Sequence, residues 1–131
     1  MFMEKIEPIL ELAGRVLLAV LFILAGFSKI SGFEGTQGYM EAMGVPGVLL
    51  PLVILLEIGG GLLLIAGYKT KWISLALAGF CLLSGFIFHF QPEDQIQMIL
   101  FMKNISITGA FLLLVSKGSG KLSLDARLNA A

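Results

Sequence analysis

The sequence predicts an all-α polytopic membrane protein, a bundle of four transmembrane helices with a short interfacial helix in the first outer loop. One observation is composition: 57% of the residues are hydrophobic and 14% are charged, whereas a soluble domain carries about 25% charged residues. A second is the presence of four apolar runs near the roughly 20 residues that cross a bilayer core. A third is an uneven distribution of lysine and arginine. The length suits one domain, predicted over residues 1–131.

The four spans are predicted at about residues 9–30, 46–67, 72–90 and 96–115. The first has an unbroken apolar core from Val16 to Phe27 that lies beyond Arg15. No convincing small-residue cleavage site follows this core and three further spans come after it, so we interpret it as a retained anchor rather than a signal peptide. Pro46 opens the second span and suits the first turn of a helix.

The connections between the spans differ in length and polarity. The turn "YKTK" is short and basic, whereas "FQPEDQIQ" is acidic and polar. The longest connection is predicted to hold the interfacial helix, from about Thr36 to Met43, with Gly44 as its stop and Pro46 preventing its continuation. Residues 116–131, rich in Gly, Ser and charge, are predicted to form a tail outside the bilayer.

The distribution of basic residues predicts the orientation. Four spans put both termini on one side, and only Lys29 and Lys103 fall on the other. The positive-inside rule therefore places both termini in the cytoplasm of a bacterial inner membrane. Trp72 lies at the cytoplasmic end of the third span, where interfacial aromatic residues are favoured. The basic residues on the side of the termini are Lys5, Arg15, Lys69, Lys71, Lys117, Lys121 and Arg127.

The inventory of reactive residues excludes several functions within one chain. Nine basic and nine acidic residues cancel, so no overall positive field recruits nucleic acid. Cys81 is the one cysteine and His89 the one histidine, which excludes an intrachain disulfide, a CxxC motif and a haem held by two histidines. We predict no metal site and no covalent cofactor.

Glu57 is the first candidate functional residue, within the run "VILLEIGGGLLLIAG". It lies eleven residues beyond Pro46, which is roughly 16 Å along the second helix and close to the bilayer midplane. A carboxylate at that depth is costly, so we expect it to be protonated, paired or beside a wet cavity.

The fourth span offers Lys103 as a partner for Glu57. If that helix begins near Ile96, Lys103 lies about 10 Å along it, and its stem covers the remaining roughly 6 Å to the depth of Glu57. Asn104 lies on the adjacent strip of the same helix, and both are predicted to face inward.

Two further titratable groups lie toward the outer end. Lys29 closes the first span in "LAGFSKISG", and His89 closes the third in "FIFHFQ". With Glu57, Lys103 and Asn104 they predict a polar pocket that opens toward the periplasm. Lys29 and His89 as interfacial side chains, and Glu57 with Lys103 as a structural pair, remain the alternatives.

Other inward positions have packing interpretations. Arg15 is interpreted as an anchor near the cytoplasmic end. Cys81 is interpreted as a small residue that lets helices approach closely. The glycines beside Glu57 either have the same packing role or leave a groove for a flat ligand.

Four segments in order along the chain are similar to the DoxX family of small bacterial inner-membrane proteins, including its YqjF-like members. They are "GRVLLAVLFILAGFSKI", "YMEAMGVPG", "LLEIGGGLLLIAGY" and "FMKNISITGAFLLL", followed by "SLD". The resemblance implies a four-helix membrane bundle. Some relatives are subunits of a thiosulfate:quinone oxidoreductase or of complexes that handle thiol stress.

These observations lead to two functional hypotheses. The first is a membrane subunit that binds a quinone or similar small molecule and supports a redox partner, with Glu57 and Lys103 in the pocket, Asn104 bonded to a carbonyl, and His89 or Lys29 relaying protons. The alternative is a non-enzymatic protein that binds or transports a small molecule or lipid, or a membrane scaffold. A homodimer is compatible with either.

Overall fold

The structure is a computed structural model that describes residues 1–130. It contains six α-helices in the described chain. A 3-10 turn, Gly47–Leu49, leads into the third helix, and a π-helical turn, Gly85–His89, continues the fourth. The helices are α1 Phe2–Ser31, α2 Phe33–Ala42, α3 Leu50–Ala66, α4 Thr70–Ser84, α5 Gln95–Lys117 and α6 Leu124–Ala130.

The predicted all-α fold with four membrane-spanning helices is confirmed. Four helical segments are long and apolar enough to cross a membrane: Phe2–Ser31, Gly47–Ala66, Thr70–His89 and Gln95–Lys117. They agree with the predicted spans to within two residues at most ends. The main difference is at the start, where α1 begins at Phe2 rather than near residue 9 because the polar N-terminal residues continue the same helix.

The ends of the helices follow local sequence signals. Gly67 ends α3 with a φ of +71°, a left-handed conformation that glycine adopts without strain. Asp94 caps α5, since its Oδ1 accepts hydrogen bonds from Ile96 N at 3.0 Å and Gln97 N at 3.2 Å. Gly44 follows α2 with a φ of +85°, which confirms it as the stop of the helix predicted over residues 36–43.

The bundle is built from two closely packed pairs, α1 with α3 and α4 with α5, and a central cluster joins them. A Cβ atom on Gly61 of α3 would lie only 3.1 Å from the carbonyl oxygen of Ala19 in α1, so the glycine allows these two backbones to approach. The members of the cluster are Ala19, Phe22, Leu64, Leu77, Ala78, Cys81 and Phe111.

Both termini lie at one end of the bundle, which we call the proximal end. The α3–α4 turn lies there, because Asp125 of the C-terminal segment bonds to Lys69 and Thr70 at the start of α4. The other end, which carries α2 and the α4–α5 connection, is the distal end. The C-terminal segment forms α6 and folds back onto the bundle through Leu122 and Asp125.

Candidate functional site

Glu57 forms an ion pair with Lys29, not with Lys103. Lys29 Nζ lies 2.9 Å from Glu57 Oε1 and donates a hydrogen bond to Oε2 at 3.2 Å. The Glu57 side chain is 4% exposed and the Lys29 side chain 29%. The pair is therefore covered on the side of Glu57 and open on one flank of Lys29.

Two features of α1 and α3 bring these side chains together. Glu57 lies in the middle of its span, and Lys29 lies in the last turn of α1. Gly26, one turn before Lys29, faces Glu57: a Cβ atom at Gly26 would lie 3.5 Å from Glu57 Cβ and 3.1 Å from Ile58 Cδ1. Because α1 lies so close to α3, the Lys29 stem reaches inward along the helix to the carboxylate.

The carboxylate keeps unused hydrogen-bonding capacity. Oε1 of Glu57 is buried, and its polar contact within the described chain is Lys29 Nζ at 2.9 Å, whereas each carboxylate oxygen has two lone pairs. An ammonium group has three donors, and Glu57, through its two oxygens, occupies at most two of those of Lys29. The pair can therefore still accept a hydrogen bond at Oε1 and donate from Nζ.

Lys103 is exposed on the outer surface of the bundle, so its predicted pairing with Glu57 is wrong. The inward face of α5 carries Phe101, Thr108 and Phe111, which are buried, and the half-buried Asn104. Successive residues of a helix are about 100° apart, so Lys103 points away from this face. It lines a shallow surface depression whose walls all come from α5 itself.

Asn104 joins α5 to α4. Its Nδ2 donates hydrogen bonds to Cys81 O at 3.0 Å and to Ser84 Oγ at 3.4 Å. Gly85 permits this contact, because a Cβ atom there would lie 3.2 Å from Asn104 Cβ. Both amide hydrogens of Asn104 are thus bonded within the bundle, beside the π-helical turn.

His89 lies at the distal end of the π-helical turn, as its position in the sequence predicts. Its Nδ1 is 2.8 Å from Gln97 Oε1 of α5. One residue earlier, the Phe88 ring stacks on Tyr39 of α2 at a centroid distance of 5.4 Å. His89 therefore helps to close the distal end of the bundle, and it does not contact the ion pair.

Arg15 has a larger structural role than the sequence indicates. Its side chain is 1% exposed, and its Nη1 donates hydrogen bonds to Leu64 O at 3.0 Å and Ile65 O at 3.3 Å. Its Nη2 bonds to Leu122 O in the C-terminal segment. Arg15 thus satisfies carbonyl groups at the C-terminal end of α3 and ties the segment after α5 to the core.

Asp125 completes the attachment of this segment. Its carboxylate accepts hydrogen bonds from Lys69 N at 2.7 Å and Thr70 N at 2.9 Å, at the start of α4. Burial raises the pKa of Asp125, but the hydrogen bonds from Thr70 N and Lys69 N outweigh it, so the pKa lies below the usual aspartate range. Asp125 was not among the candidate residues predicted from the sequence, and the "SLD" segment that contains it is the signal that could have found it.

A second depression lies beside this attachment, between the start of α4 and the C-terminal segment. Neither this depression nor the one on α5 is lined by Glu57. The structure thus brings together Lys29 and Glu57 among the predicted site residues, and it places Asn104, His89 and Lys103 in other surroundings.

Comparison with known proteins adds a family and several relatives. The DoxX family model matches residues 10–90. The chain is 51% identical to the inner membrane protein YqjF of Escherichia coli over 127 residues, covering 97% of this chain and 98% of the relative. It is 36% identical to the inner membrane protein YphA of the same organism over 128 residues, covering 92% and 91%.

A third relative is named as an oxidoreductase. The chain is 30% identical over 76 residues to a protein of Bacillus subtilis called putative oxidoreductase CatD, covering 58% of this chain and 57% of the relative. No solved structure matches the chain.

Proposed function

The chain belongs to the DoxX family of integral inner-membrane proteins, and we propose that it is a membrane subunit that binds a quinone or similar small molecule at the Lys29–Glu57 pair. The observation that carries this proposal is a buried carboxylate in the middle of a membrane span, paired with a lysine that is partly exposed on one flank. Ionisable groups at such depth are costly to keep and are functional candidates for that reason. The relative named a putative oxidoreductase supports a redox setting.

The chemistry of the pair suits a molecule whose oxygens alternate between carbonyl and hydroxyl forms. Lys29 Nζ donates to a carbonyl oxygen, while Glu57 Oε1 accepts from a hydroxyl group. A quinone supplies the first kind of oxygen and its reduced form the second. Because Lys29 is the more exposed partner, the molecule approaches along the Lys29 flank from the distal half of the bundle.

The proposed roles of the residues differ from those in the hypothesis based on the sequence. Lys29 takes the carbonyl-binding role assigned to Asn104, because both amide hydrogens of Asn104 are already bonded. Glu57 exchanges a proton with the bound molecule, and electrons come from a redox partner. His89, at the distal surface, remains a candidate to pass protons between the Lys29–Glu57 pair and the periplasm.

The test is binding by the purified protein in a mild detergent. We expect mass spectrometry to detect retained quinone, and a short-chain quinone at 100 times its Kd to stabilise the fold by about 2.7 kcal/mol through mass action. Lys29→Met and Glu57→Gln should abolish this increase relative to each variant's own melting temperature. Lys103→Met is the matched control, since it removes an equal charge from the outer surface, and it should leave the increase intact.

Two results would overturn the proposal. One is the absence of retained quinone together with no change in melting temperature on quinone addition. The other is an increase that survives in both Lys29→Met and Glu57→Gln, because the molecule would then bind elsewhere.

A further inference from the structure

The depression at the proximal end is a polar cavity of about 400 Å³. Its walls come from three parts of the chain: the turn before α4, the first residues of α4, and the end of α5 with the segment that follows it. Three lysines from these parts line it, Lys69, Lys71 and Lys117. Lys69 and Lys71 are two residues apart, whereas Lys117 is distant in sequence, so the folded bundle is needed to bring all three around one space.

The charges around this cavity are unbalanced. Asp125 is the acidic residue in its lining, and its carboxylate is bonded to the main-chain N–H groups of Lys69 and Thr70. Within residues 1–130, the three lysines form no salt bridge. Glu11 lies near Gly120 at one side, where its charge acts on Arg15. The lining thus carries three ammonium groups and one carboxylate.

The backbone gives the cavity its shape. Gly118 has a φ of +82°, which lets the chain turn sharply after α5. The Lys71 stem lies over this turn, since its Cε would be 3.4 Å from a Cβ atom at Gly118. Lys69 has a φ of +52°, an uncommon conformation for a residue with a Cβ atom, and the hydrogen bond from its N–H to Asp125 holds it.

The position of the cavity along the spans indicates its ligand. One span begins at Thr70 and another ends at Lys117, so the cavity lies at the depth of the lipid headgroups. Trp72 also lines it and is 72% exposed, as expected for an aromatic side chain at the membrane interface. The anion present at this depth in any phospholipid bilayer is the headgroup phosphate. Basic pockets at helix ends bind such groups.

We propose that this cavity binds the phosphate of an anionic phospholipid headgroup, with Lys69, Lys71 and Lys117 as the ligand-binding residues. The site is independent of the Lys29–Glu57 pair, which lies in the interior and distal half of the bundle. It adds a lipid-binding function to the proximal end, where the C-terminal segment is attached.

Native mass spectrometry of the full chain tests this proposal, with phosphatidylglycerol, phosphatidylcholine and free glycerol phosphate as probes. We expect one phosphatidylglycerol to bind in preference to phosphatidylcholine. The triple variant Lys69→Gln, Lys71→Gln, Lys117→Gln should bind it about a hundredfold more weakly. The matched control, Lys5→Gln, Lys121→Gln, Arg127→Gln, removes the same charge from the same end, outside the cavity lining, and should bind as the unaltered chain does.

A third variant, with arginine at the three cavity positions, keeps the charge and should retain binding, and melting temperatures without lipid report whether each variant folds. Equal losses in the two glutamine triples would overturn the proposal, because they would indicate diffuse surface charge. Equal binding of phosphatidylcholine would also overturn it. Binding of free glycerol phosphate as tightly as the lipid would overturn the proposal as well, because the ligand would then be a free phosphate rather than a lipid headgroup.

Discussion

Lys29 and Lys103 differ in environment although both lie in otherwise apolar stretches of membrane-spanning helices. Lys29 faces α3 because Gly26, one turn earlier, brings α1 against Glu57 and Ile58. Lys103 faces outward because the bulky Phe101 and Phe111 determine which side of α5 enters the core. The packing of neighbouring residues, rather than depth along the helix, therefore decides which lysine meets the buried carboxylate.

A double-mutant cycle checks this pairing. Glu57→Gln and Lys29→Met should each lower the free energy of unfolding, since each leaves a buried partner without its ion pair. The double variant should lose less than the sum, with a coupling of about 0.5–3 kcal/mol in denaturant unfolding.

The same cycle with Lys103→Met in place of Lys29→Met is the control. The changes in the free energy of unfolding caused by Lys103→Met and Glu57→Gln should add within about 0.5 kcal/mol. Coupling to Lys103 without coupling to Lys29 would contradict the structure.

Arg15 supports a second prediction at the residue scale. Arg15→Met removes the donors to Leu64 O, Ile65 O and Leu122 O, so we expect the free energy of unfolding to fall by about 3 kcal/mol. The released C-terminal segment should also be cut faster by trypsin at Lys121.

Arg127→Met serves as the comparison for Arg15→Met, because Arg127 is exposed on α6. It should leave both the stability and the rate of cleavage at Lys121 nearly unchanged. A stable Arg15→Met variant with a protected Lys121 would show that Arg15 does not hold the segment.

At the scale of elements, α6 is stabilised by its contacts with the α3–α4 turn. Isolated helices of seven residues are not stable in water, yet α6 forms over Leu124–Ala130. Asp125 N donates to Gly67 O at 2.9 Å, while the Asp125 carboxylate caps α4. The α3–α4 turn and α6 therefore stabilise each other.

This mutual support predicts a pH dependence. The pKa of Asp125 is lower in the folded protein than its ordinary value, so the stabilisation is complete above the ordinary aspartate pKa of about 3.9 and is lost as pH falls through the lowered folded value. Hydrogen exchange between pH 6 and pH 2.5 should show loss of protection in residues 121–130 at the acidic end.

Asp125→Asn tests whether this carboxylate is responsible. It should weaken the attachment by about 1 kcal/mol at pH 6 and remove the acid-dependent step. Asp94→Asn alters a helix cap at the other end of the bundle and should leave protection of residues 121–130 unchanged. An acid-dependent step that persists in Asp125→Asn would assign it to another group.

At the scale of the whole molecule, the two ends of the bundle differ in charge and in shape. The proximal end carries the lysine-lined cavity and the C-terminal segment, and the distal end carries α2 and the connection with Glu93 and Asp94. This asymmetry is the basis for predicting that the proximal end faces the cytoplasm.

Labelling from outside the cell tests the orientation. In a chain with Cys81→Ser, a cysteine introduced by Glu93→Cys should react with a membrane-impermeant maleimide, whereas one introduced by Asn129→Cys should react only after the cells are opened. The reverse pattern would place the termini in the periplasm.

The sequence by itself determined the four spans, because length and hydropathy are local properties. Each helix must be long and apolar enough to cross the bilayer, whatever its neighbours are. It also determined the stop at Gly44, which depends on glycine backbone conformation, and the end of the second span near residue 67. It identified Lys29 and Glu57 as candidates, but not as partners.

Only the tertiary structure decided that pairing, the outward position of Lys103 and the attachment of the C-terminal segment to Arg15. A helix that is apolar around most of its circumference carries little information about which side faces its neighbours. Its rotation is fixed by close contacts between helices, such as that of Gly26 with Ile58. Contacts between residues more than a hundred positions apart, such as Arg15 with Leu122, exist only after all four spans have assembled.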